Sequence, residues 1–501
     1  MAPRERPTQI VDEQTDKSTV KTTLSKEDEW IDQMDLKAFR EDIKELGKRL
    51  SDEQGPEHVA HLHKIIMWSN MFTLAGLVGM ALPFYYLLPA VCLSIGTTSR
   101  WTMIAHHTCH GGYDNCEKTG RFNRFRFAVG STWRRFLDWF DWMLPEAWNV
   151  EHNNLHHYHL SEDSDPDLVE RNLQFLRTVQ APLVVKYMAA YFMMAIWKWW
   201  YYAPNTYKEL CVKETRKRNP EVLKEKNYDI HAPMTLTYMI FNNSDLPTWV
   251  TLTGFMTRVF LPYFLYRFFI LPLPLLAAGM KFNAQSPNAW YLNAVATLFL
   301  ADIFANVHSF IIIATNHAGN DLYTFGVPCR PRSGTFYLRQ VVSSANFSAG
   351  TDLVDFFHGW LNYQVEHHLW PDLSMLSYQR AMPQVKEICK RHRIPVSDIV
   401  VFFLIRYSHN GLCPFYCYVS KLTDHHHSFH LYDYHSTFKK MSLHECARRS
   451  ISWLARTRCV LTLPIVNRTF KRSATIVLRD ADEVRFVDLT EMLLELVDLI
   501  T

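Results

Sequence analysis

The sequence has almost no net charge to offer a polyanion. Its 53 lysines and arginines face 50 aspartates and glutamates, leaving +3 over 501 residues. No strongly basic domain stands out, so composition gives no ground for a nucleic-acid partner. The ten cysteines are scattered without a CxxC pair, which reads as reduced thiols rather than a disulfide framework. There is no HExxH, and a zinc protease is disfavoured accordingly. No apolar run follows the start, and Asp12, Glu13 and Asp16 are acids a transit peptide would avoid, so neither a cleavable signal nor a transit peptide is expected. A composition of 48% hydrophobic residues excludes a wholly disordered chain or a collagen-like repeat.

Apolar length and histidine are what the chain does have. Residues 34–50 carry Leu36, Phe39, Ile43, Leu46 and Leu50 at alternating spacings of three and four, the pattern of a helix with one buried stripe. Residues 65–105 hold 41 residues and a single charge, Arg100. One crossing takes about 20 apolar residues, so this stretch predicts a two-helix hairpin turning near Pro83 and Pro89. A basic loop follows, in which Arg100, Lys118, Arg121, Arg124, Arg126, Arg134 and Arg135 oppose Asp114 and Glu117. The positive-inside rule places that loop, and with it both termini, in the cytosol. Residues 179–203 mix aromatics with Lys186 and Lys198, as suits a helix lying in the membrane interface. A second apolar block spans 246–316, with a turn near Lys281 and Pro287. Asp302 and Asn306 lie inside it, where polar groups are expected to face a protein interior. The expected fold is an all-α integral membrane protein with four transmembrane helices in two hairpins and a cytosolic helical cap. Its expected divisions are a cytosolic N-terminal region at 1–60, a membrane catalytic domain at 61–390 and a cytosolic extension at 391–501.

Histidine clusters follow the apolar blocks. They are His106-His107-Thr108-Cys109-His110, His152-Asn153-Asn154-Leu155-His156-His157 and Gln364-Val365-Glu366-His367-His368, with a separate His317 after the second block. Residues three and four apart share a helix face, so each cluster can aim two or three nitrogens at one point. Two hairpins bring all of them out on one side of the membrane. Imidazole suits Zn, Cu, Fe and Ni. The eight histidines at 106, 110, 152, 156, 157, 317, 367 and 368 exceed what one tetrahedral zinc needs and suit two metals. Glu151 and Glu366, each next to a cluster histidine, are candidates to orient an imidazole. His107, His159 and His358 are expected to be structural, and His58, His61, His63 and the histidine run at 424–430 have no topological support as ligands.

The third cluster, GWLNYQVEHHLWPDL at 359–373, resembles the third histidine box of the integral-membrane fatty acid desaturases. It is similar to the front-end acyl form in which Gln replaces the first His. TNHAGND at 315–321 and YRFF at 266–269 are similar to that group too. The resemblance covers roughly residues 60–390. It implies an O2-dependent di-iron centre, two Fe per chain, that removes two hydrogens from an acyl chain. It carries ligand roles to His106, His110, His152, His156, His157, His317, His367 and His368, and to Gln364. An acyl-lipid or acyl-CoA substrate is implied, in the endoplasmic reticulum membrane. The fused cytochrome b5 domain of many front-end enzymes has an HPGG motif that is absent here. Electrons are therefore expected from an external donor, cytochrome b5 or ferredoxin. A hydroxylase, acetylenase or sphingolipid desaturase on the same scaffold is the alternative within this chemistry. A histidine-rich metal transporter is the alternative outside it.

Overall fold

The protein was analysed as a computed structural model, which describes residues 29–399 apart from 83–85, 228, 284–285, 287, 318–321 and 348. The histidine run at 424–430 lies outside the described residues. Helices dominate. Strand pairing among the described residues amounts to Ala345–Phe347 beside Ser397–Ile399 in parallel, with Ala345 opposite Ser397, plus one isolated bridge.

The amphipathic pattern near the start forms the helix Leu36–Asp52. Asp35 caps it by accepting from the amides of Lys37 and Ala38. Its stripe of Phe39, Ile43, Leu46 and Leu50 is buried, facing the late helix Met375–Arg391. Asp42 joins the two by accepting from Arg391 at 2.9 Å. The next helix, Pro56–Gly79, runs unbroken through residue 60 and into the first apolar block. It pairs with Leu87–Ser99 across the expected turn. Small residues let the two backbones close. A Cβ on Gly76 would stand 2.5 Å from Leu93 Cγ, and one on Gly96 would stand 2.3 Å from Thr73 Oγ1. The outer face of this hairpin shows Met67, Met71, Leu74 and Val78 to the surroundings, an apolar stripe that no described residue covers.

In the second block two helices are long and apolar enough to cross a membrane, Leu252–Phe282 and Ala289–Ala314. The arms of the first hairpin do not reach that length and hydropathy, because His58, His61, His63 and Lys64 occupy the start of one and the other passes at Arg100 into a π-helical turn. Arg267, Asp302 and Asn306 of the second block turn inward, as their cost in hydrocarbon requires. Arg267 donates to Asp302 Oδ1 at 2.7 Å, and Trp142 Nε1 donates to Asp302 Oδ2 at 3.1 Å. Asn306 Nδ2 donates to the Ala195 carbonyl at 2.8 Å.

Two expectations change. Residues 183–218 are helical nearly throughout, as Leu183–Trp197, a π turn at Lys198–Tyr202 and Ala203–Arg218. Lys198 does not reach for headgroups. It is buried, pairs with Asp141 at 2.8 Å and lies 3.9 Å over the Trp101 ring. The basic loop is also less basic than its sequence suggests. Asp138, outside the sequence count, is buried between Arg121 and Arg134. Arg124 pairs with Asp114. Arg135 is buried and donates to the carbonyls of Arg258, Val259 and Trp142. Arg135 fastens the loop to the second block, and the other pairs tie the loop to itself.

Candidate metal centre

The first histidine cluster rides on the helix that begins at Leu87. A π turn at Arg100–Ala105 precedes the short helix His106–His110, and such turns recur at functional sites because the extra residue re-aims side chains. The second cluster departs from the helix assumed for it. His152 sits in a π turn at Asn149–Asn153, and His156 and His157 sit in a 3-10 turn. The rings still meet, because the chain bends between them: His152 and His156 stack with centroids 5.0 Å apart. Asn153 ties this segment to the first cluster by donating to the Cys109 carbonyl at 3.1 Å. The third cluster is helical, Gln364–Leu369. His317 ends the Ala289–Ala314 helix in a 3-10 turn.

All eight histidines come together. His106, His110, His152 and His367 each offer a ring nitrogen, and the four atoms lie within 4.8 Å of one another. His156, His317 and His368 form a second such group, and His157 groups with His367 and His368 between them. Gln364 is buried beside them, and its Oε1 has no hydrogen-bond partner. The arrangement therefore has two foci, each able to hold a metal ion.

Tautomers are set from outside the cluster. His106 Nδ1 faces the Thr102 carbonyl at 3.1 Å, His317 Nδ1 faces the Ile313 carbonyl at 3.0 Å, and His156 Nδ1 faces Asp165 Oδ1 at 2.9 Å. Carbonyls and carboxylates only accept, so each Nδ1 carries the proton and donates it. Each Nε2 then turns a lone pair inward. Yet His317 Nε2 lies 3.2 Å from His156 Nε2, and His106 Nε2 lies 3.0 Å from His152 Nε2. When His156 is neutral, His317 and His156 set lone pair against lone pair, which is no hydrogen bond. Nitrogens converging on a shared cation are placed this way. The Nε2 atoms of His110 and His367 are buried without a partner, a cost of about 1–3 kcal/mol each unless something binds them. Both observations fit a metal pair.

Electrostatics agree. Burial, then the neighbouring imidazoles, hold His152, His157, His367 and His368 well below the ordinary histidine range. His317 is pushed down to about 4 by burial and then by His156. Neutral imidazole is the ligand form. His156 is the exception. Burial pushes it down, but the Asp165 carboxylate outweighs this and raises it.

Glu366 accepts from Asn346 at 2.9 Å. Glu151 is buried against Asp167, and burial followed by that second carboxylate holds it well above the usual range. Asp165 orients His156, and the Ser344 hydroxyl lies 2.6 Å from His368 Nδ1. Neither residue was singled out by sequence. The acid-rich run at 162–167 was the available signal for Asp165, and nothing local marked Ser344. His107 Nδ1 faces the Met103 carbonyl, His159 pairs with Glu162 and His358 faces the Val354 carbonyl. His58 contacts the Ser374 hydroxyl, while His61 packs edge-on against Trp360.

A cavity opens onto this cluster. His106, His152, His317, His367 and Gln364 line one part of it. The rest is chiefly apolar and aromatic, including Trp101, Trp148, Trp197, Tyr202 and Phe310. Such a lining takes an alkyl chain and holds water away from the histidines.

The Fatty acid desaturase family profile matches residues 84–399. Curated relatives match over shorter stretches. The NADPH-dependent stearoyl-CoA 9-desaturase of Mycobacterium tuberculosis is 35% identical over 127 residues, 25% of this chain and 29% of that protein. The Delta(5) fatty acid desaturase A of Dictyostelium discoideum is 29% identical over 109 residues, 21% and 24% of the two chains. The Acyl-lipid (9-3)-desaturase of Borago officinalis is 30% identical over 80 residues, 16% and 17%. The chain thus covers less than a third of the length of each of these relatives. No solved structure matches it significantly. The family match runs over more than half of the sequence and takes in all three histidine clusters and His317, so the chain belongs to the fatty acid desaturase family.

Proposed function

We propose that this protein is a membrane-bound, O2-dependent acyl desaturase with two irons held by His106, His110, His152, His156, His157, His317, His367 and His368. Gln364 stands beside the pair. One observation carries the proposal: the ring nitrogens turn inward on two foci at the wall of an apolar cavity. The mycobacterial, Dictyostelium and borage relatives all bear desaturase names.

Two irons held there would supply the oxidising power of O2 against an unactivated C–H bond. The overall change is –CH2–CH2– + O2 + 2 e⁻ + 2 H⁺ → –CH=CH– + 2 H2O. The acyl chain and the donor give two electrons each, and O2 takes four. The protein's own residues set the conditions. Trp101, Tyr202 and Phe310 confine the chain and exclude water, which keeps the reacting methylenes apart from solvent. Asp165 and the Thr102 and Ile313 carbonyls hold the Nδ1 protons of their histidines outward, so that the lone pairs face the foci.

Orientation follows from the same reading. The two apolar blocks cross the membrane four times, both termini face the cytosol, and the endoplasmic reticulum is the membrane. The histidine clusters lie outside the two apolar blocks, whereas a transporter would set its ligands at mid-membrane. Electrons come from a diffusible cytosolic donor, cytochrome b5 or ferredoxin. Expression in yeast followed by fatty acid profiling tests the activity. The expected result is a new unsaturated acid that is absent with His368→Ala. A hydroxylated acid instead would establish the alternative chemistry on this scaffold.

A further inference from the structure

We infer that Asn346 is a positioning residue for the metal centre: its buried carboxamide grips the helix Gln364–Leu369 and thereby sets the rings of His367 and His368. The inference rests on the two-iron reading and adds to it a residue outside the histidine clusters.

That helix needs a grip from outside itself. It is six residues long, and isolated helices of that length do not hold in water. Its N-cap residue, Tyr363, gives no side-chain hydrogen bond to the amides of the first turn, which have no partner within the helix. Asn346 supplies one from another part of the chain. Its Oδ1 accepts from the Val365 amide at 2.9 Å, and its Nδ2 donates to Glu366 Oε2 at 2.9 Å. Asn346, Val365 and Glu366 are fully buried, so an unmatched polar group among them would be costly. A backbone amide only donates and a carboxylate only accepts. Position 346 must therefore offer one acceptor and one donor. A carboxamide offers both, whereas an aspartate there would set carboxylate against carboxylate.

The setting of this helix matters at both foci. His367 and His368 are consecutive, yet His367 is one of the four histidines of the first focus and His368 one of the three of the second. A small rotation of one short helix would carry a ligand nitrogen at each focus off its place. The segment that holds the helix is itself fixed. Ser344 stands two residues before Asn346, on the same face of an extended chain, and lies 2.6 Å from His368 Nδ1. The Phe347 amide donates to the Asn362 carbonyl at 3.1 Å, just ahead of the helix. Ala345–Phe347 also pairs in parallel with Ser397–Ile399. Asn346 thus acts on the two rings through Val365 and Glu366, from a strand that is anchored in its own right.

The test uses the full-length protein in nanodiscs, loaded with the Mössbauer isotope of iron, and reads iron release to a chelator together with the Mössbauer doublets. Asn346→Asp and Asn346→Asp with Glu366→Gln are compared with the wild type. The single change keeps the acceptor for the Val365 amide but opposes two carboxylates. The double change reverses the polarity of the pair, with the new glutamine donating to the new aspartate, and restores both bonds at the wild-type net charge. Asn346→Asp should release iron about ten-fold faster, the scale on which loss of a partner outside the ligand shell acts, and its doublets should shift. The double variant should return to within a few-fold of the wild-type rate, with wild-type doublets. Wild-type release and doublets in Asn346→Asp overturn the inference, because a pair that only braces the fold leaves the metals of folded protein unchanged. A double variant as impaired as the single one overturns it too. If the single variant does not accumulate, recovery of iron-loaded protein on adding Glu366→Gln supports the pairing, and no recovery overturns it. Wild-type protein that binds no iron overturns both the two-iron reading and the inference. Failure of the desaturase reading alone shows as iron-loaded wild type that yields no oxidised acyl product, and the release rates and doublets still decide the role of Asn346.

Discussion

His156 and Asp165 are joined by a 2.9 Å contact between Nδ1 and Oδ1, both side chains fully buried. A carboxylate behind an imidazole fixes its tautomer and raises its basicity as a ligand, and loss of such a partner typically lowers metal affinity about 10- to 100-fold. Asp165→Ala should therefore lower iron retention by about that factor in a chelator titration, with membrane insertion unchanged. Full retention would show that His156 needs no help in facing inward.

The cluster itself separates ligands from neighbours. His368 is buried at the second focus, whereas His63 is exposed and rests edge-on against Phe122. His368→Ala should abolish product and reduce bound iron. His63→Ala should leave turnover within a few-fold of the wild type. Equal turnover in the two variants, measured by lipid analysis at matched expression, would remove the third box from the metal site.

Much of this site was legible in the sequence, and the reason is physical. Imidazoles at spacings of three to five residues, placed just beyond apolar blocks, have few other uses, and the eight positions read that way converge. The helix geometry assumed for His152 to His157 was wrong, because π and 3-10 turns leave no signature in residue spacing. Long-range partners were illegible for a related cause. Asp165 and Ser344 act on His156 and His368 through loops whose course depends on tertiary packing. Lys198 reads as an interfacial anchor by its aromatic company, but a buried acid, Asp141, lies 57 positions away in sequence and draws it inward.

Acid should weaken the attachment of the helix Pro56–Gly79. His61 is buried against Trp360, and its value is pushed from 6.5 down to about 4 by burial, then by Lys64 and His58. Between those pH values the unfolded chain binds a proton at this site that the folded chain does not. Stability from this site is therefore full above about pH 6.5 and falls as pH drops toward 4. Phe at position 61 keeps the edge contact and has nothing to protonate. The variant should lose less thermal stability than the wild type on going from pH 7 to pH 5 in detergent. Parallel losses would mean that other groups carry the acid response.

Electron supply gives the last prediction. The basic loop remains the natural face for an acidic donor, since transient redox partners are steered by complementary charge. The structure divides its cations by role. Arg121 and Arg134 share Asp138, Arg124 holds Asp114, and Arg135 holds four carbonyls. Reversing any of these would disturb the fold before it disturbed docking. Lys118 and Arg126 are exposed and have no ion pair recorded among the described residues, so they are the cations free to steer. Lys118→Glu with Arg126→Glu should slow donor-driven turnover several-fold at low salt and flatten its dependence on ionic strength. Iron content and the product of a single turnover by chemically reduced protein should stay at wild-type level. If donor-driven rates and their salt dependence are unchanged, the loop serves the membrane surface alone and the donor docks elsewhere.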